Sequence, residues 1–128
     1  MKDKFILDSS LWIEIERGNA KVLERISPLI AKNQICLADV IAAEVLRGVR
    51  SRKDFIKLKN AFSDFNQLST KWDGVAELAF ACAQKGFHPP LIDLYIADCA
   101  IKNDKTLLTQ DKHFTHIARV ANLKCELV

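Results

Sequence analysis

Four acidic residues occupy positions where a carboxylate is costly unless something binds it. They lie at the ends of apolar, strand-like runs or on the apolar faces of helices: Asp8, Glu44, Asp93 and Asp111. Burying a charged carboxylate without a partner is unfavourable. Carboxylates that meet in one notch repel each other unless a divalent cation joins them, and ligand sets made only of oxygen suit Mg²⁺ or Mn²⁺. The four acids therefore predict a metal site.

Each acid also has a structural explanation. Asp8 and Asp111 could cap helices, and Asp93 could interact with the dipole in the first turn of its helix. Glu44 could pair with Arg47 on the next turn. These alternatives are open for each residue taken singly, so the metal prediction depends on whether the fold brings the four side chains together.

The elements that would position the acids alternate between strand and helix. Short apolar runs predict five strands, of which the third is the weakest: KFIL, QICLA, DFNQLS, TLLT and KCELV. Apolar residues at helical spacing predict helices between them. This alternation is typical of an α/β protein whose mostly parallel sheet is covered on both faces. Ligands of such sheets bind beyond the carboxyl ends of the strands, where all four acids could face one edge.

Length and composition indicate an ordinary globular protein. At 128 residues, 49% hydrophobic and 27% charged, the chain is expected to form one domain over residues 1–128. No apolar run is long enough for a membrane span, and an acid interrupts the first run where a signal peptide would continue, so a cytosolic location is predicted. Four cysteines form no C-x-x-C pair, which favours buried thiols over a zinc or redox site.

Other groupings of residues indicate no competing chemistry. His113 and His116 lie close together but lack a third matching ligand, which favours exposed residues over a zinc pair. The two serines after Asp8 have no accompanying histidine or G-x-S-x-G elbow, and there is no glycine-rich phosphate loop. Four large aromatic residues recur with other apolar residues at helical spacing and are predicted to be core residues: Trp12, Phe62, Trp72 and Phe80.

The settings of the four acids, FILDSSLWI, IAAEVLRG, IDLYIADCA and LLTQDKHF, resemble those of the PIN-domain ribonucleases, and most closely the VapC toxins of bacterial toxin–antitoxin pairs. The resemblance covers essentially the whole chain as a single PIN domain. It implies a three-layer α/β/α sandwich, a homodimer, a carboxylate-bound Mg²⁺ or Mn²⁺, endoribonuclease activity that inhibits translation, and a cognate VapB-type antitoxin that masks the site. Relatives usually have a small apolar residue at the position of Asp98, so this departure could alter the polarity near the acids.

Phosphodiester hydrolysis suits the four acids. It needs an activated water and relief of negative charge in the transition state, and one or two metal ions can supply both. Asp8 and Asp93 are the first choice as direct ligands. Glu44 and Asp111 would bind a second ion, hold metal waters or orient the attacking water.

Hydroxyl and basic residues near the acids could support the same chemistry. Ser9 and Thr109 are expected to hold the acids by hydrogen bonds. A basic cluster follows Glu44 and a smaller one follows Asp111, and these cations could offset the acids and seat the RNA backbone. The predicted RNA-binding residues are Arg47, Arg50, Arg52, Lys53, Lys112 and His113.

Two other functions are compatible with part of this pattern. A receiver-like phosphoacceptor domain has a similar length and alternation, but it needs an acid pair near the end of its first strand and a lysine after its last strand, and neither is well placed here. A catalytically silent binding module would use the acids only as helix caps and as contacts to a protein partner. Metal-dependent stabilisation would distinguish the nuclease from the silent module.

Overall fold

Five short parallel strands form the centre of the molecule in the computed structural model, which describes residues 3–128. The strands are β1 (Phe5–Leu7), β2 (Ile35–Ala38), β3 (Asn66–Leu68), β4 (Thr106–Thr109) and β5 (Lys124–Leu127). They form one sheet in the order β3-β2-β1-β4-β5, and every neighbouring pair is parallel. The predicted parallel sheet is therefore confirmed.

Seven helices within residues 3–128 connect the strands and flank the sheet. They are α1 (Ser9–Glu16), α2 (Ala20–Ala31), α3 (Asp39–Arg47), α4 (Arg52–Phe62), α5 (Trp72–Gln84), α6 (Leu91–Lys102) and α7 (His113–Ala118). The predicted α/β/α architecture is confirmed as well. No helix in this range is both long enough and apolar enough to span a membrane.

The apolar runs of the sequence form the core of the sheet. Ile6 and Leu7 of β1, Leu37 of β2, and Leu107 and Leu108 of β4 are fully buried. Strands that are buried on both faces are expected to read as continuous apolar runs, which explains why KFIL, QICLA and TLLT show no alternation. Helix α6 is also enclosed, because seven consecutive residues from Leu94 to Ala100 are buried.

The strand order places Asp8, which follows β1, next to the loop after β4 that carries Asp111. The chain moves outward from β1 through β2 to β3, and then returns to the other side of β1 to form β4. Strand β1 therefore pairs with β4, with Leu7 opposite Leu108. The main-chain N–H of Asp8 donates to Leu108 O at 2.9 Å. This reversal of strand order is the point where ligands of open α/β sheets usually bind.

Two of the four predicted core aromatics are largely exposed. Trp12 and Phe62 are buried and meet edge to face at 5.2 Å. Trp72, in contrast, is 55% exposed and Phe80 is 65% exposed, so the prediction for these two residues is wrong. Phe80 lies about 200° around helix α5 from its buried residue Leu78. Trp72 is the first residue of α5, at the end of the helix, and its exposed ring packs on one side against Tyr95.

Candidate functional site

An open cavity of about 620 Å³ lies at the carboxyl edge of the sheet, and it contains all four predicted acids. Asp8 follows β1, Glu44 comes from the middle of α3, Asp93 from the first turn of α6, and Asp111 from the loop after β4. The remaining residues that line the cavity are polar or charged: Ser9, Ser10, Gln110, Lys112 and His113.

Asp8 is the most enclosed of the acids, with 7% of its surface exposed. Its Oδ2 atom accepts hydrogen bonds from Thr109 Oγ1 at 2.8 Å and from Ser10 Oγ at 3.4 Å, and its Oδ1 atom accepts one from the Ser9 N–H at 2.8 Å. Thr109 Oγ1 in turn accepts a hydrogen bond from the main-chain N–H of Asp111 at 2.9 Å. Thr109 therefore connects the end of β1 to the loop that carries Asp111.

Glu44 points an unpartnered oxygen into buried space. Its Oε1 atom is buried and has no hydrogen-bond partner among the residues that the structure describes. The alternative pairing with Arg47 does not satisfy this oxygen; burial raises the pKa of Glu44, and the Ser9 side chain and the positive charge of Arg47 offset only part of that rise. A buried carboxylate oxygen without a partner is costly, so this atom is one that a cation would stabilise.

Asp111 combines the two roles that the sequence left open. Its Oδ1 atom accepts a hydrogen bond from the main-chain N–H of His113 at 2.9 Å, which holds the start of α7 in the manner of a helix cap. The same carboxylate lines the cavity, where one oxygen of Asp111, one oxygen of Asp93 and one ring nitrogen of His113 lie within 4.8 Å of each other.

Burial and the charges of neighbouring carboxylates make ionisation of the acids less favourable. Burial raises the pKa of Asp8, Glu44 and Asp93. Repulsion adds to this effect: the charges of Asp8 and Asp93 raise the pKa of Glu44, and those of Asp111 and Asp8 raise the pKa of Asp93. The ligand set is mostly carboxylate oxygen, it carries excess negative charge, and it includes an unpartnered oxygen. These properties fit a divalent cation such as Mg²⁺ or Mn²⁺.

The raised pKa values predict how the metal-free protein responds to pH. The folded state holds protons on Asp8, Glu44 and Asp93 more tightly than the unfolded chain, so these groups stabilise the fold most at low pH. Their contribution should decrease as the pH rises from about 4 through the raised pKa values of the folded state. Urea unfolding in EDTA across this range should show that the free energy of unfolding decreases less steeply with pH for Asp93→Asn than for the wild type. Equal slopes for the two proteins would contradict the predicted repulsion.

The six predicted RNA-binding residues fall into two groups. Lys112 and His113 line the acid cavity. The other four lie at the end of α3 and the start of α4 and do not line this cavity, and all of them are exposed: Arg47, Arg50, Arg52 and Lys53. Arg52 lies over the Phe55 ring at 5.1 Å, so its guanidinium already has one aromatic partner.

Asp98 lies outside the cavity and has a structural environment of its own. It is 3% exposed, accepts a hydrogen bond from the Thr70 hydroxyl, and pairs with Lys102 Nζ at 2.9 Å. A Cβ atom on Gly74 would lie 2.7 Å from Asp98 Oδ2, which explains why a glycine fits at that position of α5. Asp98 thus fastens α6 to the loop between β3 and α5, and its position outside the cavity gives no support to an effect on the polarity near the acids.

Sequence reasoning missed some of the residues that line the cavity. Ser10 and Gln110 were not assigned to the site, and His113 was predicted to bind RNA beside Asp111 but not to approach Asp93 as well. The signal for Ser10 is its place one residue after Ser9, in the first turn of a helix that begins beside Asp8. The signal for His113 is its spacing of two residues from Asp111, which allows a main-chain N–H to reach that carboxylate.

The family follows from a comparison of the whole sequence with family models. The model described as the PIN domain matches residues 5–120, a range that includes all four acids. The chain therefore belongs to the PIN-domain family. A comparison with curated proteins gave no match.

Several solved structures with the same fold are chains of VapBC complexes. A chain of VapBC2 from Rickettsia felis, bound to a DNA fragment from its promoter, has a TM-score of 0.78 and 22% identity, with 100% of this chain and 99% of that chain covered. A chain of DNA-bound VapBC from Salmonella typhimurium has a TM-score of 0.78 and 18% identity, with 98% of both chains covered. A chain of VapBC-1 from nontypeable Haemophilus influenzae has a TM-score of 0.76 and 18% identity, with 98% of this chain and 97% of that chain covered. At these identities the similarity establishes the fold.

Proposed function

We propose that this PIN domain is a metal-dependent endoribonuclease toxin of the VapC type, which cuts RNA and inhibits translation until an antitoxin masks it. The observation that carries the proposal is the convergence of four carboxylates in one open cavity, where a buried Glu44 oxygen has no hydrogen-bond partner within residues 3–128. Helix capping alone would explain single acids, but it gives no reason for four of them to meet. The similarity in fold to chains of VapBC complexes supports the toxin assignment.

The proposed roles of the acids are those that the sequence suggested. Asp8 and Asp93 would hold Mg²⁺ or Mn²⁺ directly, and Glu44 and Asp111 would complete the site. A divalent cation bound there supplies positive charge beside the scissile phosphate and lowers the pKa of a water molecule. Thr109 would fix the Asp8 carboxylate through their 2.8 Å hydrogen bond, so that Asp8 keeps one orientation when RNA enters.

The surroundings of the cavity suit a negatively charged polymer. Without a cation, four carboxylates would repel RNA phosphates, so basic residues are needed to hold the strand on either side of the acids. The exposed residues proposed for this role are Arg47, Arg50, Arg52, Lys53, Lys112 and His113. They would contact phosphates and so contribute affinity and orientation, without reading the bases.

The proposed partners are a VapB-type antitoxin and a second copy of this chain, in the cytosol. Apolar side chains on the neighbouring helices α5 and α6 are exposed and suit burial against a protein: Trp72, Phe80, Leu91 and Ile92. The VapBC names of the similar structures support an antitoxin partner for this chain as well.

The fold argues against one of the two alternative functions and leaves the other open. Membership of the PIN-domain family removes the reason to consider a receiver-like phosphoacceptor. A catalytically silent PIN-like binding module remains the second candidate, since capping contacts such as the His113 N–H to Asp111 are present. This module would bind its partner without cleaving RNA and would not need a metal.

Cleavage of RNA by the purified protein tests the proposal. With Mn²⁺ or Mg²⁺ the wild type should cut single-stranded RNA, and EDTA should abolish the activity. Asp93→Asn should lower cleavage by at least about 10²-fold, the scale expected when one positioned electrostatic group is lost. Asp104→Asn is the matched control, because Asp104 is fully exposed and pairs with Lys124, and it should cleave normally. Equal cleavage by Asp93→Asn and the wild type would favour a contaminating nuclease and a silent module.

A further inference from the structure

The side chain of His113 lies closer to the acids than RNA binding alone requires. One of its ring nitrogens lies within 4.8 Å of a carboxylate oxygen of Asp93 and of one of Asp111. Its Nδ1 atom is 3.4 Å from Asp111 Oδ1, which is longer than a good N–H···O hydrogen bond. Because neutral imidazole is a common metal ligand, the three side chains form a donor set of mixed nitrogen and oxygen atoms.

The backbone keeps His113 beside the acids and leaves its ring free to adjust. The main-chain N–H of His113 donates to Asp111 Oδ1 at 2.9 Å, which ties the first residue of α7 to that carboxylate. The His113 side chain is 63% exposed, so nothing encloses the ring in one orientation. Neighbouring ligands of an octahedral ion lie about 3 Å apart and opposite ligands about 4 Å apart. Small rotations therefore suffice to bring the three ligand atoms onto one ion.

We propose that His113 adds a nitrogen ligand to the metal site of the four acids, on the side where Asp93 and Asp111 lie, and that it makes the site prefer Mn²⁺ to Mg²⁺. Mg²⁺ is a hard ion that selects oxygen ligands, whereas imidazole suits first-row transition ions, and Mn²⁺ accepts both kinds of donor. The inference rests on the proposed function, because it requires the acid cavity to bind a divalent cation. It goes further by assigning the metal preference to one residue.

Pulsed electron paramagnetic resonance of the Mn²⁺-loaded full chain tests the ligand directly. Protein grown with ¹⁵N-labelled histidine should show a ¹⁵N hyperfine coupling to the bound Mn²⁺, and His113→Gln should lose it. His116→Gln is the matched control on the same helix, because its ring packs against Phe87 and does not line the cavity. This control should keep the coupling.

Competition between the two ions tests the preference. Displacement of Mn²⁺ by Mg²⁺ gives the ratio of the two affinities, and His113→Gln should lower that ratio about 10-fold, the scale found when the ligation of a metal site is disturbed. Mn²⁺ that binds the wild type without a histidine coupling, or an unchanged ratio in His113→Gln, would overturn the inference and leave the carboxylate metal site intact. A wild type that binds no Mn²⁺ would overturn both the inference and the proposed function.

Discussion

Expression of the wild-type chain in a bacterial host without an antitoxin should arrest growth, whereas expression of Asp8→Asn should leave growth unaffected. Asp8 is the most enclosed acid of the cavity, and three groups donate hydrogen bonds to it. Asparagine has the same shape and can still accept the Ser9 N–H, but it lacks the negative charge needed to hold a cation. Cleavage should therefore decrease by at least about 10²-fold. Growth curves at equal protein levels, checked by immunoblot, give the result.

The growth experiment needs a control for folding. Burial raises the pKa of Asp8, so its charged form is disfavoured in the folded protein, and the neutral asparagine should not destabilise the metal-free chain. A thermal melt in EDTA that is equal to or higher than that of the wild type would show that the lost toxicity does not come from unfolding. Asp104→Asn, on the exposed surface, should still arrest growth. If the wild type and Asp8→Asn grow alike, the chain is not a toxin that depends on this site.

Burial and repulsion together explain why the acids are costly in the protein without a cation and why they suit the proposed metal site. Burial next to like charges raises the pKa of Asp8, Glu44 and Asp93, so the folded chain disfavours their ionised forms. A divalent cation would reverse this preference, because it would interact with the ionised carboxylates and could give a partner to the Glu44 oxygen, which has none within residues 3–128. Under the proposed function, the site would thus exchange some stability of the metal-free protein for affinity toward a cation.

The sequence predicted the sheet because its buried strands read as apolar runs. It predicted the positions of two acids because Asp8 directly follows the first of these runs and Asp111 lies two residues after the fourth. It did not predict the strand order, and therefore did not predict that β1 and β4 are neighbours. That pairing depends on long-range packing of the helices between the strands. The hydrogen bond from Thr109 to Asp8 was expected only in general terms, since it joins residues far apart in the chain.

The helical spacing of apolar residues predicted burial least well on α5, which lies at the rim of the core. The spacing that predicts a buried face on α5 identifies Val75, Leu78 and Cys82 correctly, but it does not say that Trp72 lies at the helix end or that Phe80 is on the outer face. For Asp98, in contrast, the sequence could not show that a buried acid has structural partners. An acid in a fully buried stretch of α6 resembles a functional residue, and only the three-dimensional structure identifies Thr70 and Lys102 as its partners.

The substitutions Asp111→Asn and Asp111→Ala should separate the two roles of Asp111. Asparagine keeps an oxygen that can accept the His113 N–H and so preserves the cap, while it removes one of the crowded charges. The metal-free melting temperature of Asp111→Asn should therefore equal or slightly exceed that of the wild type. Alanine also removes the cap, and loss of a cap costs about 1 kcal/mol, so Asp111→Ala should be less stable than Asp111→Asn by about that amount.

Both Asp111 variants should lose function in the same way, because both lack the carboxylate. Each should cleave RNA at least about 10²-fold more slowly than the wild type, and each should gain less thermal stability on addition of Mn²⁺. The measurements are melting curves with EDTA and with Mn²⁺, together with cleavage rates on one RNA. If Asp111→Asn has a lower metal-free melting temperature yet cleaves at the wild-type rate, Asp111 is a helix cap and the catalytic set contains only Asp8, Glu44 and Asp93.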